Sequence, residues 1–443
     1  MALPRYPLRG ALGPADRRAE RLLRARVRDG IHRLLENEPA DMPAASREAQ
    51  VRQLIQQTLA EYDRQAVLTR GATLVEPAKV ETWLVNAFLK YGPITELLED
   101  ARCEEVQVNG ASAVFAVLDG RLWLVPDAAY DTDDEPLAIA KRLLEPQGIR
   151  LDQASPLADA RVPGVGRVNV SIPPASPDGV YLSIRRYVLT VHSLAELIQW
   201  RAVTEEAAHF LEACVRAHIT IVISGRTGVG KTSWVNCLAN TVPEHERICT
   251  IEEDRELQLT VPNRVPLVGR PANIEGVGGI TLRQLVRDSL RKRPSRIIVG
   301  EVRGEESFEL LSALTSGHPG SFTTIHGGSP EDALDRLAVF AQLASERLTT
   351  VMVLRMIRRS VQLVLQLGEQ EDADGYKSRY LQAIWELTGL DVAAGTATLL
   401  GHDLWRREQG QLRWQRRVPQ FLAQFAEYGV SYTLPPLEGE RSA

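Results

Sequence analysis

"ITIVISGRTGVGKTSWVNCLAN", residues 219–240, is the stretch whose reading decides the fold. Its opening, ITIVIS at 219–224, is a short apolar, β-branched run that reads as a buried strand. KTSWVNCLAN at 231–240 reads as a helix. The residues between them, with Lys231 and Thr232, fit the spacing G-x-x-x-x-G-K-[ST]. That spacing alone arises by chance; a strand running into it and a helix leaving it make it specific. Glycines let such a loop curl until its N–H groups point inward at phosphate oxygens. The helix N-terminus adds partial positive charge at the same place. Lys231 is then placed for the β- and γ-phosphates of a nucleotide, and the Thr232 hydroxyl for Mg²⁺. The nucleotide-binding candidates are Gly225, Arg226, Thr227, Gly228, Val229, Gly230, Lys231, Thr232 and Ser233. The bland alternative is a glycine-rich strand–helix turn that holds nothing.

The pattern on either side of the loop is strand–helix alternation. Further strands are expected at 247–252, 296–300, 320–325 and 361–367, and helices at 204–217, 281–292, 304–316 and 330–345. Such alternation implies a largely parallel sheet covered by helices, an α/β fold. A nucleotide-hydrolysing sheet also needs a carboxylate on a neighbouring strand. RIIVGEVRG supplies Glu301 at the end of an apolar strand, where ligands of open α/β sheets bind. RICTIEEDREL offers Glu252, Glu253 and Asp254 at another strand end. Without the loop, these acids would read as solvated strand-end charges. No N-K-x-D segment occurs, which favours adenine over guanine.

Upstream the character changes. Residues 1–14 are rich in Pro and Gly and are expected to be disordered. Residues 15–79 read as a helical segment, its first helix carrying Leu22, Leu23, Val27, Ile31 and Leu34 on one side. Residues 1–33 hold nine arginines against three acids. A solvated helix face is the simple explanation; an acidic partner or a membrane surface is the other. Residues 80–190 carry short β-type runs and read as a small α+β domain, with LDGRL at 118–122 as a hairpin turn. Residues 191–203 read as a linker with Ser193 as a helix N-cap, and 204–443 as the nucleotide-binding domain.

Composition narrows the class. The chain has 443 residues, 44% hydrophobic and 25% charged, enough for two or three cores. A net charge of −5 argues against a broad nucleic-acid-binding surface. No apolar run is long enough to span a membrane, and the N-terminus does not read as a signal peptide. The four cysteines are scattered, which fits a reducing cytosol.

SGRTGVGKTS, ICTIEEDREL, RPSRIIVGEVRG and SGHPGSFTTIHGGSPEDALDRL, taken in order, closely resemble the Walker A, Asp-box, Walker B and His-box motifs of the type II/IV secretion ATPase superfamily. ITELLEDARCEEVQVNG, LDQASPLADARVPGVGRVNVSIPP and RPANIEGVGGITLRQLVRDSLRKRPSR are similar to the CpaF-type ATPases that drive tight-adherence (Tad/Flp) pilus assembly. The likeness covers roughly residues 85 to 390. It implies a PAS-like N-terminal domain joined to a RecA-like motor domain, in hexameric rings that bind ATP between subunits and between the two domains. It implies a cytoplasmic location, with attachment to the inner membrane through a platform protein of the pilus or secretion machine. By motif, Lys231 and Thr232 bind phosphate and Mg²⁺, Glu301 positions the attacking water, and Glu252 stands near metal and water. His326 and His318 form the His-box pair and are phosphate-sensing candidates. Arg185, Arg186 and Arg167 are candidates for neutralising γ-phosphate charge; strand-surface charge explains them equally well.

Three positions depart from the family pattern. Val229 stands where serine is usual, Arg226 where glycine is common, and HGGSP replaces HANSP. A cradle of backbone N–H groups tolerates the first. Zinc is a poor reading of SGHPGSFTTIHGGSP, 316–330, because two histidines eight apart have no cysteine partner and no third ligand. The competing function is a RecA-like motor acting on DNA.

Overall fold

The structure is a computed structural model and describes residues 4–36, 43–186, 191–270, 277–373, 375–393 and 396–435. Residues 1–3 of the expected disordered terminus and 271–276 of the RPANIEG segment lie outside them. The chain divides into two compact units, Met1–Val188 and Leu189–Ala443. Among the described residues no helix is long and apolar enough to cross a membrane.

The first unit begins with α1 (Pro14–Glu36), α2 (Ala44–Thr69), α3 (Pro77–Leu89) and the short α4 (Thr95–Glu99). Then come β1 (Cys103–Asn109), β2 (Ala113–Leu118), β3 (Arg121–Leu124), α5 (Asp134–Leu144), β4 (Leu157–Val162), β5 (Gly166–Ser171) and β6 (Tyr181–Arg185). The strands form an antiparallel sheet in the order β3-β2-β1-β6-β5-β4. LDGRL is the β2–β3 hairpin turn: Asp119 and Gly120 sit at φ 49° and 75°, the left-handed pair that a two-residue hairpin needs.

Two expectations need correcting here. Residues 4–13 are packed rather than disordered. Leu8 and Leu12 are buried, Arg5 bridges to Leu124, and the Trp83 indole N–H donates to the Gly10 carbonyl at 2.6 Å. Apolar side chains interspersed among the prolines anchor the segment. The helical segment is also no separate module. Leu23 and Val27 of α1, Ile55 of α2 and Leu84 of α3 share one core with Val106 of β1 and Ile184 of β6. Leu22 is 61% exposed, because a helix turns it about 100° away from the Leu23–Val27 stripe. Part of the arginine excess is spent inside the unit: Arg24 bonds Glu20 and Glu135, and Arg21 pairs with Asp131.

The second unit runs α6 (Leu194–Gln199), α7 (Glu205–Arg216), β7 (Ile221–Ser224), α8 (Lys231–Ala239), β8 (Ile248–Glu252), β9 (Arg264–Val268), α9 (Leu282–Leu290), β10 (Arg296–Val299), α10 (Glu306–Thr315) and β11 (Phe322–Ile325). It continues with α11 (Pro330–Gln342), α12 (Thr350–Ser360), β12 (Leu363–Glu371), β13 (Lys377–Ala393), β14 (Thr396–Glu408), β15 (Gln411–Trp414) and α13 (Leu422–Glu427). The expected linker residues belong to this unit's core, with Val191, Leu194, Leu197, Ala202 and Val203 buried in it. Ser193 caps α6 by accepting the Glu196 N–H.

The sheet order is β15-β14-β13-β12-β7-β11-β10-β8-β9. Strands β12 through β9 in that order run parallel, and β13 to β15 add an antiparallel flank. Strands β7, β8, β10 and β11 are buried along their whole length, as expected with helices on both faces. Ile221 and Ile223 enter one core and Val222 the other, the period-two alternation of a strand. From β7 the chain crosses over to β8, adds β9 at the outer edge, works back through β10 to β11, and then places β12 on the other side of β7. The direction of winding therefore reverses beside β7, and the crevice at a reversal point is where open α/β sheets hold ligands.

Candidate active site

The loop between β7 and α8 lies at that reversal point. Gly228 and Gly230 have φ of 80° and 94°, values a side chain disfavours, and they fold the loop back over the start of α8. Val229 is buried and seated on Gly225: a Cβ at 225 would stand 2.7 Å from Val229 Cγ1. The valine that replaces the usual serine is thus a packing residue under the loop, while Arg226, Thr227 and Gly228 are exposed above it. Lys231 opens α8 and is buried, with Ser233 half-buried beyond it. The Lys231 ammonium donates to the carbonyls of Gly225 at 3.1 Å and Arg226 at 3.0 Å, and lies 3.1 Å from His326 Nδ1.

Glu252 ends β8 and is buried. Its Oε1 accepts the N–H groups of Glu256 and Leu257, each at 2.9 Å, and so fixes the turn that follows. That turn carries Glu256 to Thr232, whose hydroxyl donates to Glu256 Oε2 at 2.9 Å. Gly300 makes room for Glu252 on the neighbouring strand end, since a Cβ at 300 would sit 3.1 Å from Glu252 Cγ.

Glu301 follows β10 and His326 follows β11. Glu301 Oε1 is 2.6 Å from His326 Nε2, and its Oε2 accepts from Arg303 at 2.5 Å. Arg303 also reaches Glu253 at 3.1 Å. A lysine ammonium can only donate, so His326 Nδ1 accepts from Lys231, while Nε2 stands at ion-pair distance from Glu301 Oε1, an oxygen that takes no hydrogen bond among the described residues. The neutral imidazole, with its Nδ1 lone pair toward the ammonium, is the form that accepts from Lys231. Burial, and then the Lys231 charge, hold the His326 pKa below its ordinary 6.5 against the opposing pull of Glu301. The result is a chain Lys231–His326–Glu301–Arg303–Glu253 across the ends of four strands, β7, β11, β10 and β8.

The fold gathers Lys231, Thr232, Glu252, Glu301 and His326 at one edge of the sheet. It does not bring His318 there. That residue precedes β11, with its Nδ1 3.2 Å from the Ala313 carbonyl, whereas His326 follows the strand. A strand carries its two ends to opposite edges of a sheet, so the expected pair is split. The three arginines lie in the first unit. Arg167 is held by both oxygens of Asp159 at 3.0 and 2.7 Å. Arg186 donates to the carbonyls of Asp100 and Cys103 and staples the backbone there. Arg185 is exposed on β6. Sequence reading missed Glu256 and Arg303. The signal for Glu256 was the charge density of EEDREL, 252–257; Arg303 stands two residues beyond Glu301 in the same strand-end turn.

The family described as "Type II/IV secretion system protein" matches residues 89–386. A Mycobacterium tuberculosis (strain H37Rv) protein named for conjugal transfer is 34% identical over 322 residues, 61% of this chain and 92% of its own. VirB11 of Agrobacterium fabrum (strain C58) is 35% identical over 272 residues, 55% of this chain and 78% of its own. Among solved structures, the VirB11 ATPase of Brucella suis is similar at 25% identity and a TM-score of 0.37, covering 66% of this chain and 92% of that one. Family membership rests on the sequence match, which takes in every member of the cluster around Lys231. The chain belongs to the type II/IV secretion system protein family and is an ATPase.

Proposed function

We propose that the chain is a Mg²⁺-dependent motor of the CpaF type, working as a hexamer, whose ATP hydrolysis powers Tad/Flp-type pilus assembly or export across the inner membrane. On this reading the second unit is a RecA-like motor domain and the first a PAS-like domain. The chain is cytoplasmic and reaches the membrane through a platform partner. The observation that carries the reading is the continuous contact from the loop lysine through His326 to Glu301.

The loop N–H groups and Lys231 hold the phosphates of ATP. Thr232, Glu256 and Glu252 form an oxygen-rich corner that suits a hard divalent cation. Mg²⁺ bound there supplies charge neutralisation for the β- and γ-phosphates. Glu301 orients the attacking water, and His326 fixes the Glu301 carboxylate while its other nitrogen takes up the Lys231 ammonium. Arg303, half exposed beside Glu301, stands on the γ-phosphate side. Arg167, Arg185 and Arg186 remain candidates for action at that end. A motor acting on DNA is not favoured, given the net charge of −5.

Glu301→Ala tests the assignment. It leaves ATP binding intact and abolishes turnover. Surviving turnover would remove Glu301 from its role.

A further inference from the structure

We propose that Arg379 is a nucleotide-contacting residue supplied by the antiparallel flank of the same chain, gripping the α-phosphate and nucleoside end of ATP rather than the γ-phosphate. The inference rests on the reading of residues 225–233 as the nucleotide loop.

Strand β12 pairs with β7 from Leu363↔Ile221 to Gln366↔Ser224. There β7 stops and the loop begins, but β12 continues to Glu371 and runs on beside the loop. The two are in contact: a Cβ at Gly225 would lie 3.2 Å from Leu367 Cβ. Strand β13 returns along β12 with Leu381 opposite Leu367 and Arg379 opposite Glu369. Alternation puts Arg379 on the face of Leu381, which belongs to the same core as Leu367 and Val229. Arg379 Cδ is 3.8 Å from where a Cβ on Gly230 would stand. Gly230 is the residue before Lys231, and the guanidinium lies beyond that Cδ. A glycine at 230 thus leaves open the space that the arginine stem approaches.

The side of approach decides the role. The sheet order puts β11 and β10 on one flank of β7, and β12 and β13 on the other. Glu301 and His326 come from the first flank. The bond to be cut lies toward them, so the rest of the nucleotide extends toward the second flank, where Arg379 stands. A guanidinium offers a planar fork of donors for phosphate oxygens and a flat face for a base. Contacts at that end are the same for ATP, for ADP and for the transition state. They lower KM without raising kcat.

The experiment uses the full chain. Calorimetric titration with Mg-ADP and with Mg-AMP-PNP is combined with steady-state ATPase assays on wild type, Arg379→Ala, Arg379→Lys and Lys231→Ala. Losing a charge-assisted contact raises both dissociation constants, and KM, by about tenfold. Activity then falls at limiting ATP and recovers at saturating ATP. Arg379→Lys restores part of the affinity and carries the test if Arg379→Ala loses its cooperative thermal transition. The proposal is overturned if both Arg379 variants bind as wild type while Lys231→Ala does not. It is equally overturned if kcat collapses at unchanged affinity, since Arg379 would then act on the transferring phosphoryl group. If wild type binds neither nucleotide, or Lys231→Ala binds like wild type, the reading of the loop itself has failed.

Discussion

Strands β7, β8, β10 and β11 carry ion networks at both of their ends, and the two networks differ in almost every respect but residue type. Where the strands begin, Arg296, the first residue of β10, is fully buried and bonds both oxygens of Glu246 at 2.6 and 2.9 Å. It also donates to the Gly320 carbonyl at 3.0 Å. His218 lies 3.3 Å from Glu246 and stacks on Tyr428 with ring centroids 4.4 Å apart. Four strand beginnings and helix α13 are tied there. After the strands, Lys231, His326, Glu301 and Arg303 form an open chain, with the Arg303 side chain 50% exposed. A closed, solvent-free pair has no capacity left for a ligand, so its contribution is to the fold. An open chain of charged groups over a phosphate loop can rearrange around a substrate. Burial, rather than charge, separates the closed network from the one proposed to act on nucleotide.

The largest effect separating the two ends comes from breaking the closed one. Arg296→Ala leaves the Glu246 charge buried without its main partner and destabilises the second unit by about 3–5 kcal/mol, measurable by urea unfolding. Replacing both residues together with apolar ones recovers most of that loss. If Arg296→Ala melts like wild type, the buried pair contributes little and the contrast fails. At the open end the same kind of removal changes catalysis instead. His326→Ala keeps nucleotide binding and lowers turnover by about ten- to a hundredfold, because Glu301 loses the group that orients it. Normal turnover in that variant would show that the contact is incidental.

Acid probes both ends more gently. Burial pushes the Glu246 carboxyl up, but hydrogen bonds from His218 and Arg296, with their charge, outweigh it and hold it at about 2, below its ordinary 4.5. The stability this represents is complete above pH 4.5 and is lost as pH falls toward 2. A urea midpoint series should show that slope, and Glu246→Gln should flatten it. At the other end, His326 stays neutral down to a pH below 6.5. Turnover should decline on the acid side only under that value, where a protonated ring can no longer accept from Lys231.

The closed end was invisible in the sequence, and the open end was largely legible. Lys231, Thr232, Glu252, Glu301 and His326 follow apolar strands directly, so their place at the sheet edge follows from the pattern. Arg296 opens such a strand and Glu246 precedes one, and both look like ordinary flanking charges. Only the parallel stacking brings them together, across fifty residues of chain. Glu256 was missed because its position depends on Glu252 folding the turn by accepting two N–H groups. His318 was misplaced because the His-box resemblance paired it with His326, although the strand expected at 320–325 lies between them and carries its ends to opposite edges of the sheet. Strands β13 to β15 escaped notice because KSRYLQAIWELTGLDVA mixes charged and apolar residues without clean alternation. Arg379, within it, was missed for the same reason.

The most direct test is the ATP-induced rise in melting temperature. At about a hundred times Kd, ATP should stabilise the wild-type second unit by about 2.7 kcal/mol, a rise of roughly 5–10 °C. Lys231→Ala should melt near wild type without nucleotide and show no rise with it. A Lys231→Ala protein that keeps the full rise would mean that the nucleotide binds elsewhere.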